Sequence, residues 1–169
     1  MAEEIKEEQT EEVDSPKREF MTFQTGREYF GINISYVNEI IQMQPITALP
    51  EVKDYIKGLI NLRGKIIPVI DVRTRFKMKP IEYTDRTCII VINVKSTVIG
   101  LIVEKIAEVN TILDEDIVPP PTLGHKEHEH NKYVYGLART DGAVKLLLDP
   151  EKLIMEEDME LLEEIQEEE

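Results

Sequence analysis

The chain has 169 residues, of which 41% are hydrophobic, and its formal net charge is −14. This length fits one domain or two very small ones, no apolar run reaches the ~18 residues that a transmembrane helix needs, and the acidic start is unlike a signal peptide. The only cysteine, Cys88, excludes an internal disulfide and fits a reducing compartment. We therefore expect a soluble, intracellular protein with no direct membrane insertion, in which Cys88 is a small buried hydrophobe rather than a reactive thiol.

The negative charge is concentrated at the two ends of the chain. Residues 1–16 carry seven acidic side chains and one basic one, and residues 150–169 carry ten acidic side chains and one basic one. Residues 17–149 have a net charge of only +1. Phosphate groups need a net basic surface, which this chain lacks, so the charge argues against nucleic acid and against anionic membrane surfaces as partners.

The first element in chain order is an acidic extension. Residues 1–19 combine few apolar side chains with dense like charge, which predicts disorder. From Phe20 onward, short runs of β-branched and aromatic residues alternate with turn signals. Two-residue hairpin turns are predicted at Gly26–Arg27, Lys95–Ser96 and Asp141–Gly142. The pattern is typical of an all-β barrel or sandwich.

Pro68 and Pro150 indicate features of a predicted strand and of a predicted helix. Pro68, within "KIIPVID", cannot donate to a strand ladder, so the sequence predicts a free edge or a bulge there. Asp149 can cap a helix whose first residue is Pro150, and the apolar residues that follow lie near one stripe. We expect a C-terminal helix at residues 150–165 and a frayed acidic tail at residues 166–169.

The chain also resembles itself. Residues 20–40 align with residues 89–109 without a gap, and residues 55–76 align in the same way with residues 133–154. Two matched blocks in the same order predict two similar small β-barrels, which share a core because a barrel of this size is marginal alone. The matched residues include Tyr55 with Tyr133, Gly58 with Gly136, Gly64 with Gly142, and Asp71 with Asp149.

The repeat gives an interpretation of the charged residues in the first copy. Asp71 and Asp149 both stand between an apolar strand and a helical turn, which predicts a helix N-cap at each position. A catalytic Asp71 would need a base or a nucleophile beside it, and Arg63 is neither. No arginine occupies the turn of the second copy that matches Arg63. The apolar neighbours of Arg63 favour an interface role, with simple solvation as the alternative.

Candidate metal and catalytic motifs are few. Three histidines, His125, His128 and His130, stand with Glu127 and Glu129 after a proline-rich stretch and could hold a divalent metal. A solvated loop is the preferred interpretation, because no further ligand is evident. None of the P-loop, GxGxxG, GxSxG and HExxH motifs occurs. We therefore expect no enzyme, no catalytic residue, no cofactor and no metal.

The longest matched block carries a resemblance to a known family. "YIKGLINLRGKIIPVIDVRTRF" resembles the signature of the CheW family of bacterial chemotaxis coupling proteins, and "FGINISYVNEI", "VIGLIVEKIAEV" and "YVYGLARTDGAVKLLLDPEKL" resemble its other segments. The resemblance implies two five-stranded SH3-like barrels packed about a third hydrophobic interface, with short helices and a C-terminal helix. It implies a CheW-like domain at residues 20–155, with the first barrel mainly at 20–82 and the second mainly at 86–150. It leaves strand exchange between the barrels open.

The resemblance also implies a function. It implies a non-enzymatic cytoplasmic adaptor that couples the tips of methyl-accepting chemoreceptors to the regulatory domain of the histidine kinase CheA. An adaptor for another kinase pathway, such as motility other than swimming chemotaxis, is an alternative, and a metal-binding protein that uses the His125 loop is a second one. The family's receptor-binding positions carry over to Val37, Glu39, Gly58, Arg63, Gly100 and Ile106. Its kinase-binding positions carry over to Ile46, Lys57, Ile66 and Leu123.

Overall fold

The structure is a computed structural model that describes residues 16–120, 133–140 and 142–167. Within these residues the chain forms ten strands, three helices and two 3-10 turns. In chain order the strands are β1 (Lys17–Thr25), β2 (Glu28–Asn33), β3 (Val37–Gln42), β4 (Ile56–Leu62), β5 (Lys65–Asp71), β6 (Cys88–Val94), β7 (Thr97–Val103), β8 (Lys105–Leu113), β9 (Val134–Thr140) and β10 (Ala143–Leu148). The helices are α1 (Val72–Arg75), α2 (Pro150–Leu153) and α3 (Glu156–Glu167), and the 3-10 turns are Ile34–Tyr36 and Asp114–Asp116.

The strands form two five-stranded sheets. Sheet A has the order β8-β1-β2-β10-β9, and sheet B has the order β3-β6-β7-β5-β4. Neighbouring strands are antiparallel except for one parallel pair in each sheet, β2 with β10 and β5 with β7. The predicted all-β class is confirmed, and SH3-like packing fits the two sheets. Neither sheet is a closed barrel over the described residues, because each ends in two edge strands.

The sheets do not follow the two halves of the chain. Strands β1 and β2 lie in sheet A with β8, β9 and β10, whereas β3, β4 and β5 lie in sheet B with β6 and β7. The barrels expected mainly at 20–82 and 86–150 thus exchange strands, a possibility that the resemblance leaves open, because each sheet takes a hairpin from one half and three strands from the other. The chain passes from sheet A to sheet B at the 3-10 turn Ile34–Tyr36, after which β3 pairs with β6.

The internal repeat extends to the hydrogen-bond register. The pairing of Phe20 with Asn33 in sheet A recurs as the pairing of Ile89 with Ile102 in sheet B, at the predicted offset. The register shifts within the sheets recur as well. The two sheets are therefore related by a pseudo-twofold operation that exchanges the halves of the chain. Further matched pairs are Gly58–Val69 with Gly136–Leu147, and Thr47–Leu59 with Val118–Leu137.

Three apolar clusters form the core. The largest lies between the sheets and draws on both, which matches the expectation of a shared core. The other two lie one in each sheet and contain matched residues, since Phe20 and Leu147 in sheet A correspond to Ile89 and Val69 in sheet B. Because each small sheet buries one face in the shared cluster, neither half of the chain contains a complete core.

Two of the three predicted hairpin turns lie within the described residues and form as predicted. Lys95 and Ser96 both have positive φ, as the two-residue turn between β6 and β7 requires, and Gly26 has a φ of +65° between β1 and β2. Residue 141 of the third predicted turn lies outside the described residues. Pro68 lies in β5, which pairs with β7 only at Val69–Asp71, so the predicted free edge at Pro68 is confirmed.

The two ends of the described chain differ from the expectation. Residues 17–19 belong to β1, because β1 pairs with β8 from Lys17 onward, and residues 1–15 lie outside the described residues. The C-terminal helix is not continuous from residue 150. It breaks at Ile154, whose backbone is extended and whose side chain is buried in the shared core.

Part of the tail that was expected to fray is helical. Helix α3 continues through Glu167, so residues 166 and 167 are helical. The side chain of Gln166 bonds to the backbone of Val98, which holds this end of the helix against sheet B. Residues 168 and 169 lie outside the described residues.

Candidate functional site

The two matched aspartates are helix caps. The carboxylate of Asp71 accepts from the backbone N–H groups of Arg73 and Thr74, at 2.9 and 3.3 Å, at the start of α1. Asp149 accepts from the backbone N–H of Glu151, at 3.0 Å, at the start of α2. The capping prediction is confirmed for both residues. The hydrogen bonds that Asp71 makes are those of a structural cap.

Arg63 stands in the two-residue turn between β4 and β5. Its φ is +51° and that of Gly64 is +85°, and the turn is braced by the side chain of Asn61, which accepts from Gly64 N–H at 2.9 Å. The Arg63 side chain is 68% exposed and donates from Nη2 to Oε2 of Glu39 on β3. The left-handed backbone therefore presents a guanidinium to solvent, where a carboxylate orients it.

The Arg63–Glu39 ion pair connects opposite edges of one sheet. Strand β3 and strand β4 are the first and last strands of sheet B. The chain after β3 reaches the same edge, where the backbones of Thr47 and Leu59 exchange two hydrogen bonds of 2.8 Å. Sheet B is therefore strongly curled, and its curl brings Glu39 and Arg63 together although 24 positions separate them along the chain.

The two glycines among the positions predicted to bind a receptor, Gly58 and Gly100, are buried. A Cβ at Gly58, whose φ is +144°, would overlap the carbonyl of Thr47 and come within 2.9 Å of Ile46. A Cβ at Gly100 would come within 2.7 Å of Ile89 and 2.8 Å of Val69. Both glycines allow close packing inside sheet B. Any role for them in docking acts through the shape of the sheet.

Val37 and Ile106 occupy matched positions on β3 and β8. Both are half-buried and pack against the shared core. A register shift lies next to each of them. In sheet B it falls between Val37 and Glu39, where β3 pairs with β6, and in sheet A it falls beside Ile106, where β8 pairs with β1. Cys88 also packs against this core, and burial raises the pKa of its thiol while a backbone hydrogen bond from Ile106 offsets part of the rise.

The described positions that the resemblance predicts to bind a kinase lie on β4, β5 and the segment before β4. Ile46 is half-buried against the sheet B cluster, and Lys57 is half-buried beside Gly58. Ile66, on β5, is 37% exposed. Leu123 lies outside the described residues. Because Ile46 packs directly over Gly58, the positions predicted for the receptor and for the kinase adjoin one another on sheet B.

Arg75 is a buried residue that was not among those predicted from the sequence. This arginine is only 7% exposed, and its guanidinium lies over the rings of Tyr55 and Tyr133, at 5.0 and 4.3 Å from their centroids. It donates to the hydroxyl of Tyr133 and to the carbonyl of Leu153. The repeat contained the signal, because Tyr55 matches Tyr133 and Arg75 matches Leu153, so the cluster lies on the pseudo-twofold axis.

No metal site is found among the described residues. None of their histidines, cysteines and carboxylates forms a group of three that could hold an ion. The cluster from His125 to His130 lies outside the described residues. Across the part of the chain that the structure describes, no helix has the length and apolar character needed to cross a membrane.

Comparisons with known proteins agree with this architecture. A family model described as CheW-like domain matches residues 19–158. A probable chemotaxis protein CheW from Rhizobium etli is 36% identical over 85% of this chain and 91% of its own length. The chemotaxis protein CheW from Klebsiella aerogenes is 34% identical over 88% of each chain. The crystal structure of the scaffolding protein TtCheW from Thermoanaerobacter tengcongensis superposes with a TM-score of 0.74 at 33% identity, over 82% of this chain and 92% of its own.

Proposed function

The chain belongs to the CheW-like domain family, and we propose that it is a cytoplasmic, non-enzymatic adaptor that couples the tips of methyl-accepting chemoreceptors to the regulatory domain of the histidine kinase CheA. Its relatives include chemotaxis proteins and a protein described as a scaffold. The observation that carries the proposal is the exposed Arg63, which its turn and Glu39 hold at the rim of curled sheet B.

The receptor side of the proposal rests on Arg63 and its surroundings. A guanidinium offers five donors in a fixed fork, which suits the backbone carbonyls or a carboxylate at a helical hairpin tip. The ion pair between Arg63 and Glu39 lies at the surface and adds little to the stability of the fold. Exchanging Glu39 for a receptor group therefore costs little free energy. Val37 and Ile106 supply half-buried apolar side chains for the same partner.

The kinase side rests on the apolar edge of sheet B. Ile46 and Ile66 offer aliphatic surface, and the half-buried Lys57 on β4 adds a long stem and a positive charge. Such a patch is of the kind that a second small β-barrel buries in a modest interface. Receptor and kinase then occupy adjoining parts of one rigid sheet, and the adaptor transmits receptor state by holding them in register.

Binding experiments with both partners test this function. The full chain is expected to bind a purified CheA regulatory domain and a receptor signalling tip, and to allow the tip to control CheA autophosphorylation in a reconstituted assay. Ile46→Glu and Ile66→Glu are each expected to weaken the CheA interaction about tenfold or more, because a carboxylate would be buried without a partner. Ile81→Glu is the matched control, since Ile81 is also exposed but lies outside this edge. Failure of the full chain to bind CheA would overturn the proposal.

A further inference from the structure

The parallel strand pair of sheet B is shorter at one end than its counterpart in sheet A. In sheet A the pairing of β10 with β2 begins at Lys145 and Tyr29. The matching positions in sheet B are Ile67 and Val98, but there the pairing of β5 with β7 begins only at Val69. Strands β5 and β7 therefore diverge where β2 and β10 remain paired.

The side chain of Gln166 takes the place of the strand pairing with β5 that is absent at Val98. Its Oε1 accepts from the backbone N–H of Val98 at 3.0 Å, and its Nε2 donates to the carbonyl of the same residue. Pro68 has no N–H to offer on the opposite strand, whereas its counterpart Leu146 has one. One side-chain amide thus satisfies both ladder groups of a strand edge that would otherwise lack a partner.

A groove adjoins this edge. It encloses about 500 Å³ between the diverging strands and the last turns of α3. Ile66 and Val98 are among its apolar lining residues, Lys65 and Lys95 are among its basic ones, and Gln166 lines its helical side. The residue proposed above to contact the kinase therefore lies in the same groove as the amide that covers the strand edge.

The two ends of α3 are held unequally. At its start, the hydroxyl of Tyr55 donates to the buried carboxylate of Asp158 at 2.5 Å, and Leu162 in the middle is fully buried. The last turn carries no basic residue to offset the helix dipole, and Glu160 and Glu164 repel each other one turn apart. Release of the last turn breaks the packing of Ile165 against the shared core and the two hydrogen bonds of Gln166. It leaves in place Asp158 and Leu162, which hold the rest of the helix.

We propose that the last turn of α3 is an autoinhibitory plug, in which Gln166 occupies the strand edge at Val98 until the kinase regulatory domain binds the groove at Ile66. The inference rests on the proposed function, because the kinase is the partner that competes with the plug. An extended kinase segment pairs with Val98 in place of the amide, and its acidic side chains meet Lys65 and Lys95. Only the fraction of molecules with a released plug binds, so the docked helix lowers the apparent affinity.

Titrations of the CheA regulatory domain into the full chain test the plug. Gln166→Ala is expected to bind about threefold to tenfold more tightly than the wild type, because the hydrogen bonds to Val98 no longer oppose release. Hydrogen exchange of the Val98 amide in the free variant is expected to rise by about tenfold or more. Glu156→Ala, at the exposed start of the same helix and outside its last turn, is the matched control and is expected to change the affinity less than about twofold.

The outcomes separate this inference from the function on which it rests. Tighter binding by Gln166→Ala, lost again when Ile66→Glu is added, supports the plug. Unchanged or weaker binding by Gln166→Ala, with Ile66→Glu still disruptive in the wild-type background, overturns the plug and leaves the adaptor function standing. Absence of binding by the wild type and by every variant overturns the proposed function.

Discussion

The guanidinium of Arg75 donates a hydrogen bond to the backbone carbonyl of Leu153, and the two residues hold matching positions in the two halves of the chain. A residue can reach its own counterpart only close to the axis that relates them. The same guanidinium stacks between Tyr55 and Tyr133, which are also counterparts. A single buried cation therefore joins the two halves at their pseudo-twofold axis, where two copies of one motif cannot both place an arginine.

Arg75→Ala is expected to lower the free energy of unfolding by about 3 kcal/mol, because it removes two cation–π contacts and leaves the Leu153 carbonyl and the Tyr133 hydroxyl without their donor. Arg75→Lys keeps the charge but loses the planar fork, so about half of this loss is expected. Urea unfolding measures both variants. Arg27→Ala, at an exposed turn, is the control and is expected to change stability by less than about 0.5 kcal/mol. Equal stability of the Arg75→Ala and Arg27→Ala proteins would show that Arg75 does not join the halves.

The two helix caps are expected to differ in their contribution to stability. Asp71→Ala is expected to cost about 2 kcal/mol and Asp149→Ala about 1 kcal/mol. Asp71 is buried and accepts from two backbone amides and from the Tyr83 hydroxyl, at 2.8 Å, whereas Asp149 accepts from one amide. Denaturant unfolding of the two variants measures the difference. Tyr83→Phe isolates the phenol bond, and a larger loss for Asp149→Ala than for Asp71→Ala would contradict this account.

Features that depend on near neighbours in sequence could be predicted. A capping aspartate acts on amides two and three residues ahead, and a two-residue turn needs only its own backbone angles. The strand partners could not be predicted in the same way. Because the two halves have the same apolar alternation, either hairpin fits either set of strands, and the choice depends on where the 3-10 turn at Ile34–Tyr36 directs the chain.

In the candidate site, too, features set by neighbouring residues could be predicted, whereas contacts between distant residues could not. The sequence indicated that Arg63 is unusual, since the second copy has no arginine at its turn, but its partner Glu39 becomes a neighbour only through the curl of sheet B. Arg75 gave no local signal at all. Its hydrogen-bond partners lie 58 and 78 positions away along the chain. The one indication in the sequence is therefore the internal repeat, which matches Arg75 with Leu153 and Tyr55 with Tyr133.

Arg63 variants separate coupling from stability. Arg63→Ala is expected to abolish receptor control of CheA while changing the free energy of unfolding by less than about 0.5 kcal/mol, because the side chain is exposed and its ion pair contributes little. Arg63→Gly suits the left-handed backbone of the turn, so it is expected to be at least as stable as Arg63→Ala and equally uncoupled. The reconstituted kinase assay and urea unfolding give the two readouts. Normal receptor control by either variant would remove Arg63 from the proposed receptor surface.

The alkylation rate of Cys88, the single cysteine of the chain, is expected to show whether a receptor tip binds near Ile106. Burial raises the pKa of the Cys88 thiol, so the thiolate fraction at neutral pH is below that of an ordinary cysteine, and alkylation is expected to be slow and to accelerate as the pH rises through the raised pKa. Because Cys88 contacts the backbone of Ile106, a bound receptor tip is expected to slow alkylation at a fixed pH. Mass spectrometry measures the rate. The urea-unfolded chain is the control and should react with the pH profile of a free thiol, and a rate that the receptor tip leaves unchanged would contradict its binding beside Ile106.

Gly58 is expected to be required for the shape of sheet B. Gly58→Ala would drive a methyl group into the Thr47 carbonyl at a φ of +144°, so a loss of about 3 kcal/mol or more in unfolding free energy is expected. Gly64→Ala is the matched control, because it also has positive φ, at +85°, but its Cβ meets no atom, so a loss of about 1 kcal/mol is expected. If Gly58 acts only through the sheet, both receptor and CheA binding fall in proportion to the loss of folded protein. A stable Gly58→Ala variant that loses receptor binding alone would instead make Gly58 a direct contact.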